Sequence, residues 1–293
     1  DRVWTLHVLW SFCGGEHLAF DFRWRDGYLR CNRPAYESGI DLNRWIWQRK
    51  LKNWTHPIQI VTPSNWLASC VKNSVLMSTW PVAVIPNPID TDFWRPIDKV
   101  SVRRQLNLPE DVALLLSGSL FANAKPHKGF DLLLEALPTI HQGQRRVELL
   151  VLGDVPDILK EHCALKVHNI PRTDDDDIVR ALYNAADVVV VPSRMESFGQ
   201  FASEALSCGT PVVAFAATGL LDVVQHKDSG YLAKAFDPKD LAAGIDWVLS
   251  DNSRYDELCV FARNDAEARF SYPVVGEQYK QLYQSVLDTS PCQ

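Results

Sequence analysis

Four valines in a row, Val188 to Val191, run straight into Pro192, and this stretch constrains the fold more than any other. A short β-branched run after Ala185-Ala186-Asp187 suits a strand buried on both faces, the kind that sheets covered by helices use. Pro192 ends the strand and leaves Ser193 to Phe198 as a loop at its carboxyl end. Gly199 to Cys208 then reads as a short helix closed by Gly209, and Thr210 to Phe215 as the next strand. A strand–loop–helix–strand unit of this kind implies an open α/β sheet, in which ligands gather at the carboxyl ends of the strands.

Two carboxylates fall in that crevice: Glu196 in the loop and Glu204 in the helix. The backbone amides around Ser197, Phe198, Gly199 and Gln200 open the helix, where unsatisfied N–H groups favour a phosphate. Gly199 lacks a Cβ and lets a ligand approach the backbone. A carboxylate such as Glu204 can accept two hydrogen bonds from a ribose diol. The arrangement suits a sugar nucleotide, with ribose on Glu204, phosphates on the amides and sugar near Glu196. The bland alternative is two acids on a solvated helix face.

The residues around them decide between the two. Glu196-Ser197-Phe198-Gly199, Glu204-Ala205-Leu206 and Cys208-Gly209-Thr210-Pro211-Val212-Val213-Ala214 together resemble the acidic motif of retaining glycosyltransferase family 4, and in particular its bacterial members that assemble exopolysaccharide and lipopolysaccharide. The resemblance is strong from Ile58 to Leu249 and weak before Asn53. It implies an α/β protein of the GT-B type, with two Rossmann-like domains. Such proteins usually carry roughly a further hundred residues ahead of the position of Asp1, a typical domain's worth. The expectation is therefore an amino-terminally incomplete first domain.

The bulk numbers narrow the alternatives. At 293 residues the chain can hold two domains with proper cores. The net charge of -6, with no basic run, argues against a nucleic-acid partner. No apolar stretch reaches membrane-spanning length. Seven scattered cysteines without a Cys-x-x-Cys pair point to reduced thiols and a cytoplasmic protein rather than a disulfide framework or a zinc site.

In chain order, residues 1–94 read as the later part of the first Rossmann-like domain. His7 falls at the end of its opening strand, and the resemblance makes it a residue that approaches the donor sugar; a satisfied core histidine is the alternative. Val8 stands where an aspartate is expected. Gly14 to Gly39, without a clear period, reads as an irregular insertion or acceptor-side loop. Leu42 to Trp54 is helical, with Arg44, Arg49, Lys50 and Lys52 interspersed. A basic face touching membrane phosphates is one reading, giving peripheral contact at the inner face of the membrane. An ordinary surface helix with its tryptophans in the core is the favoured one. Pro63-Ser64-Asn65 caps a helix starting at Trp66, and the proline-rich stretch from Pro86 to Pro96 marks a stiff connector and the domain boundary.

The second domain, residues 95–272, opens with the helix Val100 to Leu106 and the strand Ala113 to Ser117. Small residues after that strand, Gly118 and Ser119, followed by Lys128-Gly129-Phe130, form a plausible phosphate-binding bend. Lys128 at the helix entry can neutralise a diphosphate leaving group. Many relatives place arginine at the position of Ser119, so Lys125 or Arg194 would have to supply that charge. By resemblance, Arg172, after the strand Leu165 to Ile170, cradles the nucleobase. Asp174 to Asp177 precedes a helix, which makes it a cap rather than a metal site. A last helix over 273–293 crosses back to the first domain.

The reading is a retaining, metal-independent hexosyltransferase of polysaccharide biosynthesis. It uses no cofactor, takes a UDP- or GDP-linked sugar as donor and a glycan or lipid-linked acceptor. His7 and Glu196 would be catalytic; Gly118, Ser119, Lys128, Arg172, Ser197, Phe198, Gly199, Gln200 and Glu204 would bind the donor. A non-catalytic nucleotide-sugar-binding module and a sugar-nucleotide epimerase of the same fold are the alternatives.

Overall fold

The computed structural model describes residues 2–119, 126–141, 146–153, 155 and 163–289, the side chains of Ser119, Pro126 and Thr289 excepted. The chain divides into two compact units, residues 1–86 with 275–293, and residues 87–274.

In the first unit, the strands β1 (Val3–Thr5), β2 (Gln59–Thr62) and β3 (Val82–Val84) form a parallel sheet in that order. Between β1 and β2 lie a short helix, α1 (Arg23–Asp26), and the longer α2 (Leu42–Asn53); α3 (Asn65–Lys72) joins β2 to β3. Ser64 starts α3 by accepting the Leu67 amide at 3.2 Å. Val61, Ile85 and Val275 form a small core with Tyr279 and Leu282 packed against it.

The second unit begins with α4 (Lys99–Gln105), β4 (Ala113–Ser119) and α5 (Phe130–Ala136), then β5 (Val147–Gly153) and β6 (Val167–Ile170). Next come α6 (Asp176–Ala185), β7 (Val188–Val191), α7 (Gln200–Ser207), β8 (Val212–Phe215), α8 (Leu220–Val223) and β9 (Gly230–Ala233). The helices α9 (Pro238–Leu249) and α10 (Asn252–Phe270) follow, and α11 (Tyr272–Thr289), which from Val275 on belongs to the first unit, is the last element described. The six strands are all parallel in the order β6-β5-β4-β7-β8-β9.

Period-two alternation divides the strand residues between two cores. Leu114, Leu116, Leu150, Val189 and Val191 pack with Leu182, Ala202 and Ala205 on one side of the sheet. Leu115, Leu149, Val151, Val188 and Val190 pack with Leu133, Leu241 and Ile245 on the other. The valine run is buried on both faces because helices cover both. Asp187, just before it, is buried and takes Arg103 at 2.7 Å, Lys99 at 3.0 Å and the Leu114 amide at 2.8 Å.

Three expectations change. The connector residues Ile89 and Trp94 belong to the core of the second unit, and the Ile89 amide donates to the Phe270 carbonyl at 2.7 Å, so the division falls after Pro86 rather than after Trp94. The stretch from Gly14 to Gly39 is irregular outside the short α1, yet it is packed rather than a bare loop: it buries Trp24 and Tyr28 beside Phe12 and Trp47. In α2, Trp45 is exposed while Lys50 is buried, so its tryptophans and bases do not divide between core and solvent by type.

Candidate functional site

The topology itself selects a place. From β4 the chain builds β5 and β6 to one side, then returns to lay β7, β8 and β9 on the other. The carboxyl ends of β4 and β7 therefore flank the point where strand order reverses, and connections diverging there leave a crevice.

Two glycines let the loops beyond β4 and β8 meet the loop beyond β7. Gly129 has φ +65°, and a Cβ on it would lie 1.8 Å from the Pro192 carbonyl oxygen, so only glycine fits. The Arg194 amide donates to the His127 carbonyl at 2.7 Å across the same junction. Gly219 approaches the Ser197 carbonyl so closely that a Cβ would fall 2.6 Å from it.

Lys128 and Glu196, 68 residues apart in sequence, meet there: Nζ donates to Oε1 at 2.7 Å, and the Ser193 hydroxyl donates to the same oxygen at 2.8 Å. Lys128 is 34% exposed and Glu196 17%, so the pair is open to a ligand without being fully solvated. The Glu196 backbone is held at both ends, its amide donating to Thr218 Oγ1 at 3.0 Å and its carbonyl accepting from the Gly219 amide at 2.9 Å.

Gly199, at φ +115°, turns the chain into α7. The first bonds inside this helix run from Ala202 and Ser203 to the Gly199 carbonyl, so the amides of Gly199, Gln200 and Phe201 precede them. The Phe198 side chain is buried and stacks edge-on against Phe270 at 5.4 Å, leaving only its backbone for a ligand. Gly118, at the end of β4, faces the Phe201 ring: a Cβ there would come within 3.4 Å.

Glu204, one turn into α7, is gripped from two sides. The Tyr183 hydroxyl donates to Oε2 at 2.8 Å and the Gln200 amide to Oε1 at 3.0 Å. Burial raises the Glu204 carboxyl above its ordinary range, while those two hydrogen bonds pull the other way. Burial first, then the neighbouring carboxylate, pushes the Tyr183 phenol well up. Each carboxylate oxygen keeps a further lone pair, which two vicinal hydroxyls could occupy.

The remaining expected residues lie elsewhere. Arg172 is exposed beyond the edge strand β6, 3.7 Å from Asp174, and β5 and β4 stand between β6 and β7. The Arg194 fork is engaged bidentately with Asp131 at 2.7 and 2.6 Å, which holds that carboxyl below its ordinary range. It is therefore not the spare charge expected near Ser119. The Ser119 side chain and Lys125 lie outside the described residues. Asp175 caps α6 by accepting the Asp177 amide at 2.9 Å, as the acidic run implied. Among the described residues no group of three or more His, Cys, Asp or Glu is placed to hold a metal ion. In the first unit, His7 is exposed, just past β1.

Tyr183, Ser193 and Thr218 were not legible as site residues. Tyr183 sits on the buried face of α6 and reads as core; its hydroxyl matters only because α7 brings Glu204 alongside.

A family model described as glycosyl transferases group 1 matches residues 99–265. An uncharacterized glycosyltransferase of Methanocaldococcus jannaschii is 29% identical over 211 residues, covering 69% of this chain and 53% of that protein. A D-inositol 3-phosphate glycosyltransferase of Geodermatophilus obscurus is 38% identical over 200 residues, covering 63% of this chain and 43% of that one. The chain thus spans about half the length of the curated relatives it matches. Among solved structures, sucrose-phosphate synthase from Thermosynechococcus elongatus superposes with a TM-score of 0.74 at 24% identity, over 98% of this chain and 68% of that one. HepE of Anabaena, in complex with UDP and glucose, gives 0.65 at 22% identity, over 78% and 63%. Both show the shared fold, two Rossmann-like lobes of the GT-B kind.

Proposed function

The chain belongs to the glycosyl transferases group 1 family, and from that premise we propose that it is a retaining glycosyltransferase of family 4. It moves a hexose from a UDP- or GDP-linked donor to a glycan or lipid-linked acceptor. The observation that carries the reading is the meeting of Lys128 and Glu196 at the strand-order reversal, beside the amide end of α7 and the doubly held Glu204.

With no donor bound, Lys128 and Glu196 neutralise each other. An incoming diphosphate offers Lys128 a doubly charged partner at the mouth of α7, where the open amides add their own attraction. Glu196, released from the ammonium but still held by Ser193, then accepts from hydroxyls of the sugar. Glu204 receives the ribose diol. The bond from the anomeric carbon to the phosphate oxygen breaks as the acceptor hydroxyl attacks from the same face, and its proton leaves on the departing diphosphate. Lys128 and the amides stabilise the charge that develops there, which is electrostatic preorganisation in a fixed frame.

Calorimetry with UDP- and GDP-sugars tests the reading. Glu204→Ala is expected to lower donor affinity by about a hundredfold or more. Unchanged affinity for every nucleotide sugar that the wild type binds would remove Glu204 from the site. Donor binding without transfer to any acceptor would instead favour a non-catalytic binding module. A peripheral membrane contact belongs to the same proposal. Trp45, Leu42 and Leu51 are exposed on α2, which also carries Arg44, Arg49 and Lys52. Sedimentation with anionic vesicles checks it.

A further inference from the structure

In the first unit, three carbonyl oxygens converge on one buried cation. Lys50 is 4% exposed, and its Nζ donates to the carbonyls of Cys13 at 2.9 Å, Gly14 at 2.7 Å and Trp10. The ammonium also lies over the Trp10 ring, 3.9 Å from its centroid. These acceptors belong to the turn that follows β1: Leu9 to Ser11 makes one tight helical turn, and the amides of Phe12 and Cys13 both return to the Leu9 carbonyl. Carbonyls at the end of such a turn have no backbone partners of their own, and burying them unpaired is costly. Lys50 supplies one N–H to each of the three.

The same face of α2 seats the rest of the segment. Asn43, Trp47 and Lys50 recur at helical spacing. Asn43 Oδ1 accepts the Gly15 amide at 3.0 Å, and Trp47 packs against Tyr28 at 5.9 Å between ring centres. Gly14 lies so close to Asn43 that a Cβ would fall 2.7 Å from its Cα. This face is therefore given over to holding the backbone from Trp10 to Gly15, the chain that leaves the carboxyl end of β1. That edge of an open α/β sheet is where ligands are received.

We propose that Lys50 is a positioning residue for the acceptor. It fixes the Trp10–Gly14 backbone in the one form that presents this segment to the incoming hydroxyl-bearing substrate. It touches no substrate itself. The inference rests on the reading of the protein as a glycosyltransferase, with the stretch that follows β1 as its acceptor-side loop. A neutral side chain of similar length would leave three carbonyls without donors, two of them buried, and the segment would relax towards solvent to satisfy them.

The test compares wild type, Lys50→Met and Lys50→Arg by steady-state kinetics and by amide hydrogen exchange on the full chain. Lys50→Met is expected to raise the acceptor KM by about tenfold while the donor KM stays within about twofold. Its amides from Phe12 to Gly15 should exchange faster, with the second unit unaffected. Lys50→Arg, which keeps the cation, should recover most of both; it also serves if the methionine variant does not fold. Acceptor KM and exchange both unchanged in Lys50→Met would overturn the proposal. So would equal losses of donor and acceptor binding in both variants, which would reduce Lys50 to general scaffolding. A wild type that transfers to no acceptor sinks the glycosyltransferase reading instead; the exchange comparison then decides the clamp alone, unaltered protection refuting it.

Discussion

In the second unit the strands at the centre of the sheet are aliphatic: Leu114 to Leu116, Leu149 to Val151 and Val188 to Val190 are fully buried. In the first unit the segment between β1 and β2 adds buried charge to an aromatic core of Phe12, Trp24, Tyr28 and Trp47. Besides Lys50, Arg23 is buried and bridges Asp21 at 2.7 Å and Glu37 at 2.5 Å, and the Tyr28 hydroxyl donates to Glu16. Apolar burial is non-directional and contributes roughly 25 cal/mol per Å² whichever neighbours supply it. A buried ion or carbonyl instead needs a partner in one geometry, and the loss of one partner exposes the full cost of desolvation. The second unit thus offers a rigid frame on which loops can carry chemistry. The first orders an otherwise irregular segment through specific contacts.

The largest expected effect strikes the frame. Gly129→Ala drives a Cβ into the Pro192 carbonyl at a positive φ and should cost the second unit about 4 kcal/mol or more. Urea unfolding should show this loss in the second unit's transition and leave the first unit's in place; equal shifts in both would break the contrast. Asp187→Ala comes next. It strands the buried Arg103 without its carboxylate, at a cost of about 3 kcal/mol by the same measurement.

Tyr183→Phe is smaller and acts on the site. Loss of the hydroxyl should weaken donor binding about tenfold near neutral pH. The Tyr183 bond lowers a Glu204 pKa that burial has raised, so its removal lets that pKa climb further. Donor affinity, which needs the carboxylate, is lost as pH falls through that pKa. The acid limb of donor Kd against pH should therefore move to higher pH in the variant, and an unmoved limb would detach Tyr183 from Glu204.

The smallest effect concerns the first unit. Burial pushes the Lys50 ammonium down to about 8 from its ordinary 10.5. The unfolded chain then binds the proton more tightly than the folded one, so the first unit gains stability as pH rises from about 8 toward 10.5. Below that window both forms are protonated and the dependence vanishes. Denaturation midpoints across it should slope upward in the wild type and flatten in Lys50→Met.

Much of the second unit was legible because its signals are local. The valine run bounded by Pro192, the helix closed by Gly209 and the aspartates before α6 each declare an element within a few residues. The stretch from Gly14 to Gly39 was not legible, since hydrogen bonds to single carbonyls and carboxylates impose no periodicity. Lys50 looked like one more base on a basic helix for the same reason. Arg194 had the right charge and neighbourhood for a phosphate, but Asp131 on α5 lay close enough to occupy it.

The sequence by itself determined that parallel strands alternate with helices and that Glu196 and Glu204 sit at a carboxyl edge, because apolar period and turn residues act over a few positions. Only the tertiary structure decided that Lys128 meets Glu196, that Tyr183 holds Glu204, and that Lys50 reaches back 36 to 40 residues to three carbonyls. Those partners are chosen by strand order and by the close approach of glycine backbones, and no short window of sequence contains either.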